Sequence, residues 1–176
     1  MSSRKKVLAI SGSTRKNSSN HKLINAIAAF AADTMEITLF ESIAALPHFN
    51  PDDNEQPGKA VEDFRKQLGD ADGVIICTPE YAHGVPGSLK NAIDWTVSTG
   101  EFSHKPTMLI TASTDGRAGH AALLETLKVI EAENIDQLQM LVQFVRTKIS
   151  EDNRITDEAT LQQIRELIKN FILTMN

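Results

Sequence analysis

The chain has 176 residues, 41% of them hydrophobic, and a formal net charge of −5. That length suits one domain, residues 1–176, with a core of ordinary size. The mild acidity and the lack of a basic stripe argue against nucleic acid as the main partner. No apolar run reaches transmembrane length and no signal-peptide core opens the chain, so no membrane partner is expected. The one cysteine, Cys77, cannot form an internal disulfide, and a cytoplasmic protein is the expectation.

The first predicted element is a strand over 6–11, Lys6-Val7-Leu8-Ala9-Ile10-Ser11, apolar enough for a buried parallel strand. A loop follows, Gly12-Ser13-Thr14-Arg15-Lys16-Asn17-Ser18-Ser19-Asn20. A helix is predicted over 20–32, where Leu23, Ile24, Ile27, Phe30 and Ala31 share a face. A second strand is expected over 35–40. The stretch 41–58, with Pro47, Pro51 and Pro57, has no periodicity and reads as a functional rim loop or an interface element. A helix over 59–68 and a strand over 73–78 come next. Cys77 ends that strand and reads as a buried structural thiol, because no motif sets a base beside it.

A helix is predicted over 86–98, opened by Pro86, whose missing N–H is harmless in a first turn. Trp95 and Leu89 are expected to pack and Asp94 to accept a structural hydrogen bond. A strand over 107–111, a helix over 118–131, a strand over 137–145 and a helix over 157–175 complete the chain. Thr156 stands where a cap for the last helix is expected, with Leu161, Ile164, Ile168 and Phe171 on one face.

Five strands alternating with five helices imply an α/β doubly wound parallel sheet with helices on both faces. In the strand order 2-1-3-4-5 the winding reverses between strands one and three, and ligands bind outside the carboxyl ends there. Three loops then converge: 12–20, 79–85 and 112–119. The first suits an anion. A helix start offers free N–H groups and the positive dipole end, Ser13, Thr14, Ser18 and Ser19 add hydroxyls, and Arg15 adds a charged fork. It has neither the Gly-Lys-Ser/Thr ending of a nucleoside triphosphatase nor Gly-x-Gly-x-x-Gly. A terminal monophosphate fits it. The alternative is an ordinary turn with Asn20 or Ser19 as the helix N-cap.

The second loop runs Thr78-Pro79-Glu80-Tyr81-Ala82-His83-Gly84-Val85-Pro86-Gly87-Ser88-Leu89-Lys90-Asn91-Ala92-Ile93-Asp94-Trp95. It resembles the hallmark of the NADPH-dependent FMN reductase family, and Gly12-Ser13-x-Arg15-x-x-Ser18-x-Asn20 resembles that family's phosphate loop. The resemblance covers nearly the whole chain and implies a flavodoxin-like fold, bound FMN, and electron transfer from NADPH or NADH to a flavin, quinone or similar small acceptor. It implies that Ser13, Arg15, Ser18 and Asn20 hold the FMN phosphate. Pro79, Glu80, Tyr81, Ala82, His83 and Gly84 would lie along the isoalloxazine ring. Ser113, Thr114, Asp115 and Gly116 would complete the flavin's edge. Many members carry Asn where this chain has Ala82, and the third loop matches only loosely. A homodimer or homotetramer is also implied.

The residues read by themselves leave plainer alternatives open: Tyr81 as a rim aromatic, Glu80 as a solvated loop charge, and His83 as an exposed loop residue. No metal site and no catalytic side chain are assigned, because in such chemistry the cofactor reacts and the protein binds and orients. Two rivals remain at this level. A non-enzymatic, flavodoxin-like carrier would show a strongly acidic face and a flavin between aromatics, whereas Tyr81 is the one aromatic of the three loops. A non-redox module would use the same anion loop for another phosphorylated ligand.

Overall fold

The computed structural model describes residues 4–41 and 43–175. Its sheet has five parallel strands, β1 (Lys5–Ser11), β2 (Met35–Phe40), β3 (Gly73–Thr78), β4 (Thr107–Ser113) and β5 (Gln139–Gln143). They lie in the order β2-β1-β3-β4-β5, as expected. The helices are α1 (Ser19–Phe30), α2 (Lys59–Asp70), α3 (Gly87–Asp94), α4 (Arg117–Val129) and α5 (Glu158–Thr174). No described helix is long and apolar enough to cross a membrane.

Successive side chains of a strand face opposite sides, so the middle of each inner strand must be apolar on both faces. Val7 and Ala9 of β1 join Ile75 and Cys77 of β3 under α1 and α5, with Leu23, Ile27, Ile164 and Phe171. Leu8 and Ile10 join Val74 and Ile76 on the other face, under Phe64, Leu68, Leu89, Leu123 and Leu127. All six residues of β3 are buried, as its central place requires.

Several predicted boundaries move, each for a local reason. α1 begins under Ser18, whose hydroxyl accepts the His21 N–H at 3.1 Å, so neither Ser19 nor Asn20 is the cap. α5 is capped by Asp157, not Thr156. The Asp157 carboxylate accepts the Thr160 N–H at 2.8 Å, while the Thr156 N–H is used by the Lys148 carbonyl. α3 ends at Asp94, four residues short of the predicted 98, and turns follow from Trp95 to Gly100. β5 is shorter than 137–145 at both ends. The Gln137 and Leu138 N–H groups turn back to the Asn134 carbonyl, and Phe144 takes a left-handed conformation at φ 52°.

The 41–58 excursion forms two 3-10 turns, Ile43–Ala45 and Pro51–Asp53. It is stitched to α3. Asn91 accepts the Phe49 N–H at 2.8 Å, and both Asn91 and the Trp95 indole donate to the Pro47 carbonyl at 2.9 Å. Trp95 and Leu89 are buried packing residues, and Asp94 accepts from Lys90 on the surface.

Candidate functional site

The carboxyl ends of β1 and β3 run side by side, and glycine makes that possible. The Gly12 N–H donates to the Cys77 carbonyl at 2.9 Å. A Cβ at position 12 would stand 2.0 Å from the Thr78 hydroxyl, so no side chain fits. The first and second loops therefore leave the sheet in contact.

In the first loop the Ser18 oxygen caps α1, and the N–H groups of Ser19 and Asn20 meet no acceptor among the described residues. These are the orphan donors of a helix start. The Ser13 hydroxyl oxygen accepts the Arg15 N–H at 3.4 Å, which leaves its proton to give. Arg15 is exposed and has no acidic partner among the described residues. Asn20 is different. Its side chain is buried, donates to the Ala112 carbonyl at 3.4 Å and accepts from the Cys77 thiol at 3.3 Å. It ties α1 to β3 and β4, and only its backbone N–H is left for a ligand. Burial pushes the Cys77 thiol well above its ordinary pKa, so the sulfur stays protonated.

The second loop contains a two-residue hairpin. Tyr81 and Gly84 exchange backbone hydrogen bonds of 3.1 and 2.9 Å around Ala82 (φ 49°) and His83 (φ 55°). Tyr81 is 49% exposed, while His83 projects outward with its side chain 84% exposed. The His83 ring lies 3.7 Å from the Glu80 carboxylate, and Glu80 is no solvated charge: its side chain is 8% exposed. Its carboxylate accepts the Gly116 N–H at 3.3 Å and the Gly119 N–H at 2.7 Å. Gly116, the N-cap of α4, has no side chain to cap with, so Glu80 does this from the neighbouring loop. A Cβ on Gly119 would stand 2.9 Å from the Gly84 carbonyl oxygen, so this approach too requires glycine.

The third loop is tied in from both sides. Ser113 accepts the Glu80 N–H at 3.3 Å, Thr114 accepts the Phe144 N–H at 3.2 Å, and Asp115 accepts from Gln143 at 2.8 Å and pairs with Arg117 at 3.0 Å. A cavity of about 250 Å³ lies between the loops. Of the predicted site residues, Ser13, Arg15, Ser18, Asn20, Pro79, Glu80, Tyr81, Ser113 and Thr114 line it. Ala82, His83, Gly84, Asp115 and Gly116 do not. A fourth wall, Phe144, Val145, Arg146 and Thr147, was not foreseen. It lay hidden in the predicted strand, since Leu141-Val142-Gln143-Phe144-Val145 has strand composition and no Gly or Asn marks the left-handed turn.

A parallel doubly wound sheet with an anion loop and a hairpin at its switch point defines a nucleotide-binding α/β protein. Residues 5–148 match the family described as NADPH-dependent FMN reductase. A quinone reductase of Escherichia coli (strain K12) is 32% identical over 173 residues, covering 93% of this chain and 92% of that one. An NAD(P)H-dependent FMN reductase of Pseudomonas aeruginosa is 32% identical over 171 residues, covering 93% and 91%. The solved FerB, a flavoenzyme NAD(P)H:(acceptor) oxidoreductase from Paracoccus denitrificans, superposes with a TM-score of 0.82 at 27% identity, over 97% of each chain. The chain belongs to the NADPH-dependent FMN reductase family. It has the flavodoxin-like fold and is an oxidoreductase that uses FMN with NAD(P)H, not a non-enzymatic carrier. The donor set fits that cofactor: two free amides, a hydroxyl and an unpaired guanidinium suit a phosphate.

Proposed function

We propose that the cavity at the ends of β1, β3 and β4 is the FMN site, and that the protein uses it to pass electrons from a reduced nicotinamide to a quinone, free flavin or similar small molecule. The observation that carries this is one cavity bounded by the α1 start with Arg15 and by the Pro79–Glu80–Tyr81 segment. Arg15, the Ser13 and Ser19 hydroxyls and the Ser19 and Asn20 amides hold the phosphate end. The exposed Tyr81 and the backbone of its hairpin give the ring a surface and donors. Ala82, His83 and Gly84 set the shape of that hairpin, while Asp115 and Gly116 hold the third loop against it. Glu80 orients both loops by capping α4.

Bound FMN supplies a two-electron carrier between two substrates that visit it in turn. The chain contributes binding, orientation and shelter from solvent, and no side chain is assigned as acid or base. A cytoplasmic setting suits the single protonated thiol. A homodimer or homotetramer follows from the family resemblance, and light scattering on the purified protein tests it.

The deciding experiment loads the protein with FMN and adds NADPH, then NADH, without air. The flavin absorbance is expected to bleach with one of them, and a quinone or excess free flavin to restore it. Steady-state plots against the two substrates are expected to be parallel. A bound flavin that stays oxidised with both nicotinamides would sink the reading.

A further inference from the structure

The turn after β5 is a built element. Its left-handed Phe144 swings the chain out of the sheet into the 3-10 turn Val145–Thr147. Among the bonds that fix that turn are the Phe144 N–H to the Thr114 carbonyl at 3.2 Å, the Thr147 hydroxyl to the Phe144 carbonyl at 2.9 Å, and the Gln143 amide to Asp115 at 2.8 Å. Val145 is 5% exposed and anchors the turn in the core under α1 and α5. A bulky residue held left-handed and 60% exposed gains little from packing, and such strain gathers at ligand sites.

Between Val145 and Thr147 this turn carries Arg146, which lines the same cavity as Arg15. Neither guanidinium meets a carboxylate among the described residues. The one acidic side chain lining the cavity, Glu80, is already engaged by two amides. Two unpaired cations on one small cavity call for an anion of more than one charge. A phosphate monoester carries about 1.5 to 2 negative charges near neutral pH.

We propose that Arg146 is a second cationic contact for the FMN phosphate, reaching it from the wall supplied by the β5–α5 turn. The inference rests on the FMN reading of the cavity. Arg15 and Arg146 then share one dianion, and the family's phosphate loop is only half of the charge clamp in this chain.

The test compares FMN with riboflavin, which lacks the phosphate, by flavin fluorescence in wild-type protein, Arg146→Gln and Arg15→Ala. Arg146→Gln keeps a hydrogen-bonding side chain and removes the charge. FMN is expected to bind roughly tenfold more weakly to it, as for one partly solvated charge-assisted contact, with riboflavin unchanged. The fall of FMN affinity with salt is expected to be shallower than in wild type. Arg146→Lys is expected to recover part of the loss. An unchanged FMN affinity overturns the proposal, and so does an equal loss for both flavins, which would make the turn a packing element. A raised KM for NADPH with unchanged FMN affinity also overturns it, placing Arg146 on the dinucleotide. FMN loss in Arg15→Ala alone sinks this inference and spares the site. Wild-type protein that binds neither flavin sinks the underlying reading.

Discussion

The carboxylate of Glu80 accepts the backbone N–H of Gly119 at 2.7 Å, so a loop that follows β3 caps a helix that follows β4. Its second bond, from the Gly116 N–H at 3.3 Å, completes the cap. Glu80, one of the hallmark residues that the family resemblance sets along the flavin, thus holds two loops in register. Glu80→Ala is expected to cost about 1–2 kcal/mol of stability, the loss of a charged cap. Thermal melts should fall by roughly 2–8 °C for a chain of this size. Glu80→Gln, which keeps one acceptor, should fall less. An unchanged melting point in Glu80→Ala would show that α4 does not depend on this cap.

Among the described residues Arg15 makes no ion pair at the start of α1. Charge-assisted hydrogen bonds contribute roughly 1.5–3 kcal/mol. Arg15→Ala should therefore weaken FMN binding by about ten- to a hundredfold, while riboflavin binding stays close to wild type. Titration calorimetry with both flavins measures this. Equal losses would place Arg15 away from the phosphate.

Ala82 sits at φ 49° in the Tyr81–Gly84 hairpin. A side chain in that region costs roughly 1–2 kcal/mol, and glycine recovers it at some loss of chain entropy. Ala82→Gly is expected to stabilise the protein by about 0.5–1 kcal/mol, read as a rise of roughly 1–4 °C in the melting point. A lower melting point would mean that the Ala82 methyl makes contacts worth more than the strain.

Cys77 is fully buried, and its thiol donates to Asn20. Cys77→Ser should leave NADPH oxidation nearly intact, and loss of turnover in a folded, flavin-loaded variant would overturn the structural role. The thiol's stability contribution also has a definite pH course. An unfolded thiol ionises around its ordinary pKa of 9.0, while the folded one is held protonated far above that. The folded state then holds the extra proton, and stability from this group is full below pH 9.0 and falls as pH rises beyond it. Denaturant titrations at about pH 8 and about pH 10 should show the wild-type advantage over Cys77→Ser shrinking by about 1.4 kcal/mol. An unchanged gap would mean the thiol ionises in the fold.

The strand order and the three-loop convergence were legible because apolar runs such as Val74–Ile75–Ile76 and the amphipathic helices carry the βα period directly. The place of Ser13 and Arg15 on the cavity was legible because a helix start advertises its own chemistry. The role of the Asn20 side chain was not, because sequence shows a polar side chain without showing that Ala112 and Cys77 use it up. The fourth wall escaped for a different reason. A left-handed Phe is rare enough that no local rule anticipates it, so Phe144 and Val145 extend the strand on paper. Asp157 replaced Thr156 as a cap because the choice between adjacent capping residues depends on where the Thr156 N–H goes. Phe144 stands on the same cavity as Tyr81, so a lone aromatic does not distinguish this chain from a carrier. The family match decides that point instead.

The contact of Gly12 with Thr78 has a consequence for distance. It fixes how far the free amides at the start of α1 stand from the Tyr81–Gly84 hairpin before any ligand arrives, because both loops start from that one point of touch. The site is in that sense a gauge of set length, machined into the sheet. Any larger residue at position 12 would lengthen the gauge, and under the proposed FMN reading of the cavity the two ends of a flavin could then no longer be gripped at once.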